Sequence, residues 1–236
     1  MLNQPQHRKF LFEILRAIYS SQIGHWLAFK GGTMLYFFHE LDRFSVDLDF
    51  DLIDLEKEQI VFDEIKKILR KFGEIKDEKN KHFTIFFKLD YQKTLQNLKI
   101  EISKRDPKIN KYEFLDFYGI TVRTLAIEDA FAHKIIAATS RKSIANRDFY
   151  DIYFLFKKNI IPNEKIIFAA SGKSSLQYCQ YLKKFITQNL TAKNCLEGLG
   201  ELVDARQKIW IKNSLKKELM AQIDFFVDEC VGVKKD

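Results

Sequence analysis

The chain has 236 residues, 46% of them hydrophobic and 14% aromatic with 22 Phe, which excludes a disordered chain and provides a core for one large domain or two small ones. Only 3 Pro and 9 Gly are present, few for an all-β sandwich with a turn every ten residues or so. The net charge of +7 is uneven: residues 1–60 carry 6 basic and 9 acidic side chains and the remainder 33 and 23, an acidic front before a basic body that suits a polyanionic partner.

No apolar run approaches the ~20 residues of a membrane span, and charges interrupt the opening MLNQPQHRKFLFEILRAIY every few positions, unlike a signal peptide. The expectation is a cytoplasmic protein with no membrane partner. Cys179, Cys195 and Cys230 are odd in number, far apart and outside any CxxC, which fits reduced structural thiols.

From Pro5 to about Gln22, Phe10, Leu11, Ile14, Leu15, Ile18 and Tyr19 recur at helical spacing. His25 to Phe29 is a short apolar strand candidate ending at Lys30-Gly31-Gly32-Thr33, and Met34 to Leu41 reads as helix. Ser45 to Leu52 alternates with period two and predicts a strand. Glu56 to Phe72 predicts a helix, and Phe83–Leu89 and Leu98–Ser103 two more strands. Beyond Pro107 and Tyr118 the strand signal fades. Ile127–Thr139, Ala145–Lys157, Ser174–Leu190 and Ile209–Val231 show helical spacing, with Pro162 and Gly172 as breaks. An α/β part over residues 1–120 is therefore expected before a mostly helical part over residues 121–236, the two packing around a cleft.

The strand Asp47-Leu48-Asp49-Phe50-Asp51 puts three carboxylates on one face and apolar side chains on the other. Clustered like charges need either full solvation or a cation, and oxygen-only donors point to Mg²⁺ or Mn²⁺. Gly31-Gly32-Thr33, between a strand and a helix candidate, could admit a phosphate to the helix N–H groups and the Thr hydroxyl. Glu101, on the strand Leu98 to Ser103, is a surface residue or a third carboxylate brought beside Asp47 and Asp49 by strand pairing. Together these parts are what metal-assisted nucleotidyl transfer requires. Lys134 lies among Ala130, Phe131, Ile135, Ala137 and Ala138, where an ammonium needs an anion: a nucleotide phosphate, or Asp148 or Asp151. Arg147 and Asp151 are spaced to pair on one helix, and Arg141 and Arg147 could also touch phosphate.

Phe29-Lys30-Gly31-Gly32-Thr33, then Leu41-Asp42-Arg43-Phe44-Ser45 and Asp47-Leu48-Asp49-Phe50, resemble the first motif of the AbiEii/AbiGii toxin family of nucleotidyltransferases, within the polymerase-β-like superfamily. Leu125 to Lys134 with Arg141, and Arg147-Asp148-Phe149-Tyr150-Asp151-Ile152, resemble the family's Lys-containing helix and its R-D-x-Y-D helix. Val46 stands where relatives often carry another acidic residue. The resemblance implies an α+β chain: a nucleotidyltransferase-fold mixed β-sheet with flanking helices, then a mostly helical C-terminal domain that brings Lys134 and Asp148 to the cleft. It implies Lys30, Gly31, Gly32 and Thr33 at the triphosphate, Asp47 and Asp49 as metal ligands, and Lys134 as the functional helix lysine. Asp148 corresponds to the last essential acidic residue, and Glu101 to the superfamily's third strand carboxylate, a further metal ligand. The implied function is Mg²⁺-dependent transfer of NMP from an NTP to an acceptor hydroxyl, with RNA, the tRNA 3′ end, as acceptor. The implied setting is a toxin–antitoxin or phage-defence system, with a cognate antitoxin as partner.

Two other readings compete. A transferase acting on a small molecule such as an antibiotic predicts an acidic pocket and weak salt dependence, whereas a non-catalytic RNA- or partner-binding module predicts no Mg²⁺-dependent NTP binding. Ser171-Gly172-Lys173-Ser174 resembles the end of a P-loop, but its first glycine would fall on Ile167. Lys212, Lys216 and Lys217, near Trp210, form either a solvated face or part of an RNA surface.

Overall fold

The structure, a computed structural model, describes residues 3–91, 97–141 and 144–232. The chain divides into two compact units, Met1–Ala126 and Ile127–Asp236.

The first unit is built on a seven-stranded mixed sheet in the order β3-β4-β5-β2-β1-β7-β6. Its strands are β1 (Leu27–Lys30), β2 (Asp47–Leu52), β3 (Glu74–Lys81), β4 (Thr84–Asp90), β5 (Asn97–Ser103), β6 (Tyr112–Phe117) and β7 (Ile120–Leu125). β2 pairs parallel with β5 and β1 parallel with β7, while the other neighbours run antiparallel. The helices are α1 (Gln4–Tyr19), α2 (Gly31–Phe38) and α3 (Glu58–Arg70). The period-two alternation of β2, β4 and β5 turns Leu48, Phe50, Ile85, Phe87, Leu89, Leu98, Ile100 and Ile102 into the core. The apolar stripes of α1 (Leu11, Ile14, Leu15, Ile18) and α3 (Val61, Ile65, Leu69) are fully buried in the same unit. The rings of Phe29 and Phe50 meet at 5.3 Å and those of Phe62 and Phe87 at 5.0 Å, so aromatic packing knits β1, β2, β4 and α3 together.

The expected mixed sheet with flanking helices is present, but it is three strands larger than the alternation predicts. β3 was hidden because six of its eight residues, EIKDEKNK, are charged. It is an edge strand, and charge on an edge blocks pairing with other chains. β6 and β7 form a hairpin closed by Tyr118 and Gly119, with φ 52° and 84°. Two positive φ values suit the turn between twisted strands, yet Tyr-Gly lacks the usual Asn or Asp signal.

The second unit is helical: α4 (Ile127–Ser140), α5 (Asn146–Lys157), α6 (Glu164–Ser171), α7 (Ser175–Asn189), α8 (Ala205–Trp210) and α9 (Lys216–Gly232). Phe131, Phe149, Ile152, Leu155, Leu182, Ile186, Leu215, Leu219 and Ile223 are fully buried in it. A π-turn at Ile211–Leu215 joins α8 to α9, so the helix predicted from Ile209 begins earlier and carries an extra residue in its ladder. α6 went unpredicted between Pro162 and Gly172. The P-loop-like run proves to be helix punctuation: Gly172 ends α6 in the left-handed conformation at φ 68°, and Ser174 opens α7 in a capping box with Gln177. Among the described residues no helix is long and apolar enough to cross a membrane.

Candidate active site

The first unit places two carboxylates against the start of a helix. β1 ends at Lys30 and α2 begins at Gly31, so the first N–H groups of α2 emerge from the sheet beside β2. Gly31 has φ 81°, a left-handed conformation that favours glycine. A Cβ there would also stand 2.3 Å from Asp49 Oδ2, so the carboxylate occupies the space a side chain would need. The Asp49 charge thus sits at the positive end of the helix. Gly32 is equally confined: its Cβ would lie 2.8 Å from Ser45 Oγ and 3.1 Å from Arg43 Nη2.

Asp47 and Asp49 share the half-exposed face of β2, and Asp47 Oδ1 is buried without a hydrogen-bond partner. Thr33 is fully buried. Its hydroxyl donates to the Asp47 carbonyl at 2.5 Å and lies 2.9 Å from Ser45 Oγ, so it fastens α2 to β2. Asp51, third in the alternation, is different in kind. It is buried and held by Lys30 Nζ at 2.5 Å, the Tyr112 hydroxyl at 3.0 Å and Asn110 Nδ2 at 3.2 Å. Lys30, expected at the triphosphate, therefore directs its ammonium to Asp51. Glu101 is exposed on β5, in register with Asp49 across the parallel pair. Among the described residues no three His, Cys, Asp or Glu side chains form a ready metal-binding group.

Two residues that sequence reasoning passed over support this strand. His7 on α1 is fully buried, its Nε2 donating to the Val46 carbonyl at 2.8 Å and its Nδ1 accepting from the Tyr91 hydroxyl at 2.5 Å. Burial lowers the His7 pKa, which keeps it in the neutral form these bonds need. A histidine in a helix among charged residues carries no sequence signal of this role.

The second unit gathers Lys134 and Arg141 with Asp148 and Asp151. Lys134 Nζ lies 2.7 Å from Asp151 Oδ2 and 3.3 Å from Asp148 Oδ1. Arg141 Nη1 stands 2.9 Å from Asp148 Oδ2. Both aspartates are fully buried, so two cations balance two desolvated anions. The lysine is thus ion-paired with both of the aspartates expected as its alternatives to a phosphate. Arg147 is half-buried beside Asp148 on α5. The basic run of the last helix is partly structural as well: Lys216 donates to the Thr187 and Leu190 carbonyls, capping α7, and Trp210 packs on Tyr153 at 4.8 Å.

A mixed sheet with a glycine turn opening a helix beside a D-x-D strand defines a nucleotidyltransferase-fold protein. The family model described as nucleotidyl transferase AbiEii toxin, type IV TA system, matches residues 13–234, and the chain belongs to that family. Among solved structures, it is similar to an H. pylori protein provisionally described as a nucleotidyltransferase, with TM-score 0.66 and 22% identity over 99% of this chain and 98% of that one. JHP933 from Helicobacter pylori aligns at TM-score 0.59 and 20% identity over 99% of both chains. MenT4, a nucleotidyltransferase toxin of Mycobacterium tuberculosis, aligns at 0.58 and 16% over 93% of this chain and 83% of that one. At such identities these likenesses carry the fold. No curated protein matches the chain by sequence.

Proposed function

We propose that the chain is the toxin enzyme of a toxin–antitoxin or phage-defence pair, transferring NMP from an NTP to the 3′ hydroxyl of an RNA, with tRNA as the acceptor and a cognate antitoxin as protein partner. The observation that carries this reading is the Asp49 carboxylate lying over Gly31 at the N-terminus of α2, beside the unpartnered Asp47 Oδ1. A divalent cation fits these donors: both are carboxylates, one oxygen is buried without a partner, and Mg²⁺ characteristically takes one or two carboxylates and completes its shell with water and substrate phosphate. Asp47 and Asp49 would hold Mg²⁺ or Mn²⁺, which when bound supplies charge neutralisation of the triphosphate and activation of the attacking oxygen.

The protein's own groups do the rest. The N–H groups of Gly31, Gly32 and Thr33 bind phosphate oxygens at the positive end of α2. The acceptor oxygen attacks the α-phosphorus, the bond to the bridging oxygen breaks, and pyrophosphate leaves. The acceptor proton passes to Glu101, exposed in register with Asp49, whereas Asp148, the other candidate, is fully buried and ion-paired. Lys134, Arg141 and Arg147 serve the nucleotide phosphates, Lys134 exchanging part of its pairing with Asp148 and Asp151 for the substrate anion. The basic excess beyond residue 60 supports a nucleic-acid acceptor, because neutralised phosphates supply much of such affinity.

Incubation with each labelled NTP, Mg²⁺ and total RNA, followed by gel separation, tests the reading. Label on a discrete RNA band is expected. Label on a protein instead would remove the RNA acceptor and keep the chemistry; no label with any NTP would remove the transferase.

A further inference from the structure

The strand register defines a surface beyond the site. On the side of the sheet opposite the Leu48–Phe50–Ile100–Ile102 core, one cross-strand row runs Asp47, Lys99, Lys88, Asp77 across β2, β5, β4 and β3. The next runs Asp49, Glu101, Phe86, Lys79, and the third Asp51, Ser103, Thr84, Lys81. Lys99, Lys79 and Lys81 are exposed, and Lys88 and Phe86 are half-buried. Lys79 is ion-paired with Asp77 at 2.7 Å, whereas Lys81, Lys88 and Lys99 have no ion pair among the described residues.

Two features of this face call for an anion. Lys88 and Lys99 are direct cross-strand partners, and like charges placed opposite one another destabilise a sheet, an effect that Asp47 and Asp77 at the ends of the same row offset only in part. Two basic residues also continue directly from Asp47: with strands about 4.8 Å apart, Lys99 is one strand from it and Lys88 two, while Asp77 closes that row and Lys81 lies on β3 two rows along. Phe86 offers an aromatic surface between them, in register with Glu101.

We infer that this face of β2, β5, β4 and β3 is the track for the single-stranded end of an RNA acceptor, with Lys99 and Lys88 on adjacent phosphates, Lys81 on one further along and Phe86 stacking a base. The inference rests on the RNA-acceptor reading above and adds where the strand lies. A lysine-and-aromatic sheet face suits a single strand, whose bases are free to stack, better than a duplex. The track leads the strand toward Asp49 and Glu101, where its terminal hydroxyl is needed.

The test is fluorescence anisotropy with a labelled single-stranded RNA oligonucleotide across a salt series, using the full chain and two triple variants. Lys81→Glu, Lys88→Glu and Lys99→Glu together should weaken binding at least tenfold and flatten the salt dependence by about 2 in slope, at ~0.7 per phosphate. Lys165→Glu, Lys173→Glu and Lys193→Glu change the net charge equally on exposed positions of the second unit, and should leave affinity within about twofold. Phe86→Ala should lose about tenfold with the slope unchanged, since stacking is not screened by salt. Mg²⁺–NTP binding by calorimetry and the circular dichroism melt, measured on each variant, report on folding and the nucleotide site. Undiminished RNA binding by the first triple variant, equal loss in the second, or equal affinity for a duplex would overturn the track while leaving the RNA acceptor in place. A wild-type protein that binds Mg²⁺–NTP but no RNA would overturn both.

Discussion

The two acidic clusters of this chain solve the same electrostatic problem in opposite ways. In the second unit Asp148 and Asp151 are fully buried, and each carboxylate has a cation within 3 Å, Arg141 and Lys134 respectively, although Asp148 Oδ2 meets Arg141 as an ion pair without a hydrogen bond. On β2, Asp47 remains half-exposed with a buried oxygen lacking a hydrogen-bond partner, and no ion pair reaches it among the described residues. A balanced cluster of buried charges holds a fold together, because removing one member leaves the others desolvated without compensation. A carboxylate kept short of partners stabilises nothing by itself, and in the proposed function it is the one that takes a cation supplied with substrate. Within β2 the contrast is repeated two residues on, where Asp51 takes Lys30, Tyr112 and Asn110.

Substitutions that separate folding from chemistry can break this comparison. Asp148→Ala should cost about 3–5 kcal/mol of stability, because Arg141 and part of Lys134 lose their buried counter-ion. Urea melts would show it, and a loss below about 1 kcal/mol would mean that the cluster is not structural. Gly31→Ala should cost about 1–3 kcal/mol and abolish transfer, since it combines a positive φ with a Cβ in the place of Asp49. Gly172→Ala is its control: φ is 68° but nothing lies within 4 Å, so only the backbone strain, about 1 kcal/mol, should appear.

A smaller effect distinguishes the support of β2 from its chemistry. The lowered pKa of His7, caused by burial, means that the unfolded chain binds a proton at the ordinary value of 6.5 before the folded chain does. The stability tied to His7 is therefore complete above that pH and is lost as pH falls toward the lowered folded value. Melting temperature should decline between about pH 7 and 5, and His7→Gln should flatten that slope. Asp47→Asn should change stability least, by about 0.5 kcal/mol or less and in the stabilising direction, while weakening Mg²⁺–NTP binding.

Much of this was legible because alternation and glycine have direct physical meanings. Period two in residues 45–52 reported both the strand and its face, whereas Gly-Gly between a strand and a helix suggested room for a phosphate and gave no hint that the Asp49 carboxylate lies over Gly31. What stayed hidden depended on tertiary partners. Nothing local marks His7 as the support of Val46, or Asn110 and Tyr112 as ligands of Asp51, because each acts across 39 residues or more. The same holds for Lys30: the family resemblance implied a place at the triphosphate, and nothing local showed that antiparallel pairing of β1 with β2 sets Ala28 opposite Asp51 and brings the lysine within reach of that carboxylate. β3 was missed because an edge strand is selected for charge, which erases the hydrophobic period.

The direct test of the β2 site is a calorimetric titration of NTP into the protein with and without Mg²⁺, repeated on Asp49→Ala. Binding that requires Mg²⁺ in the wild-type chain and disappears in Asp49→Ala, with the melting temperature unchanged, is the predicted result; undiminished binding in the variant would contradict the assignment of Asp49.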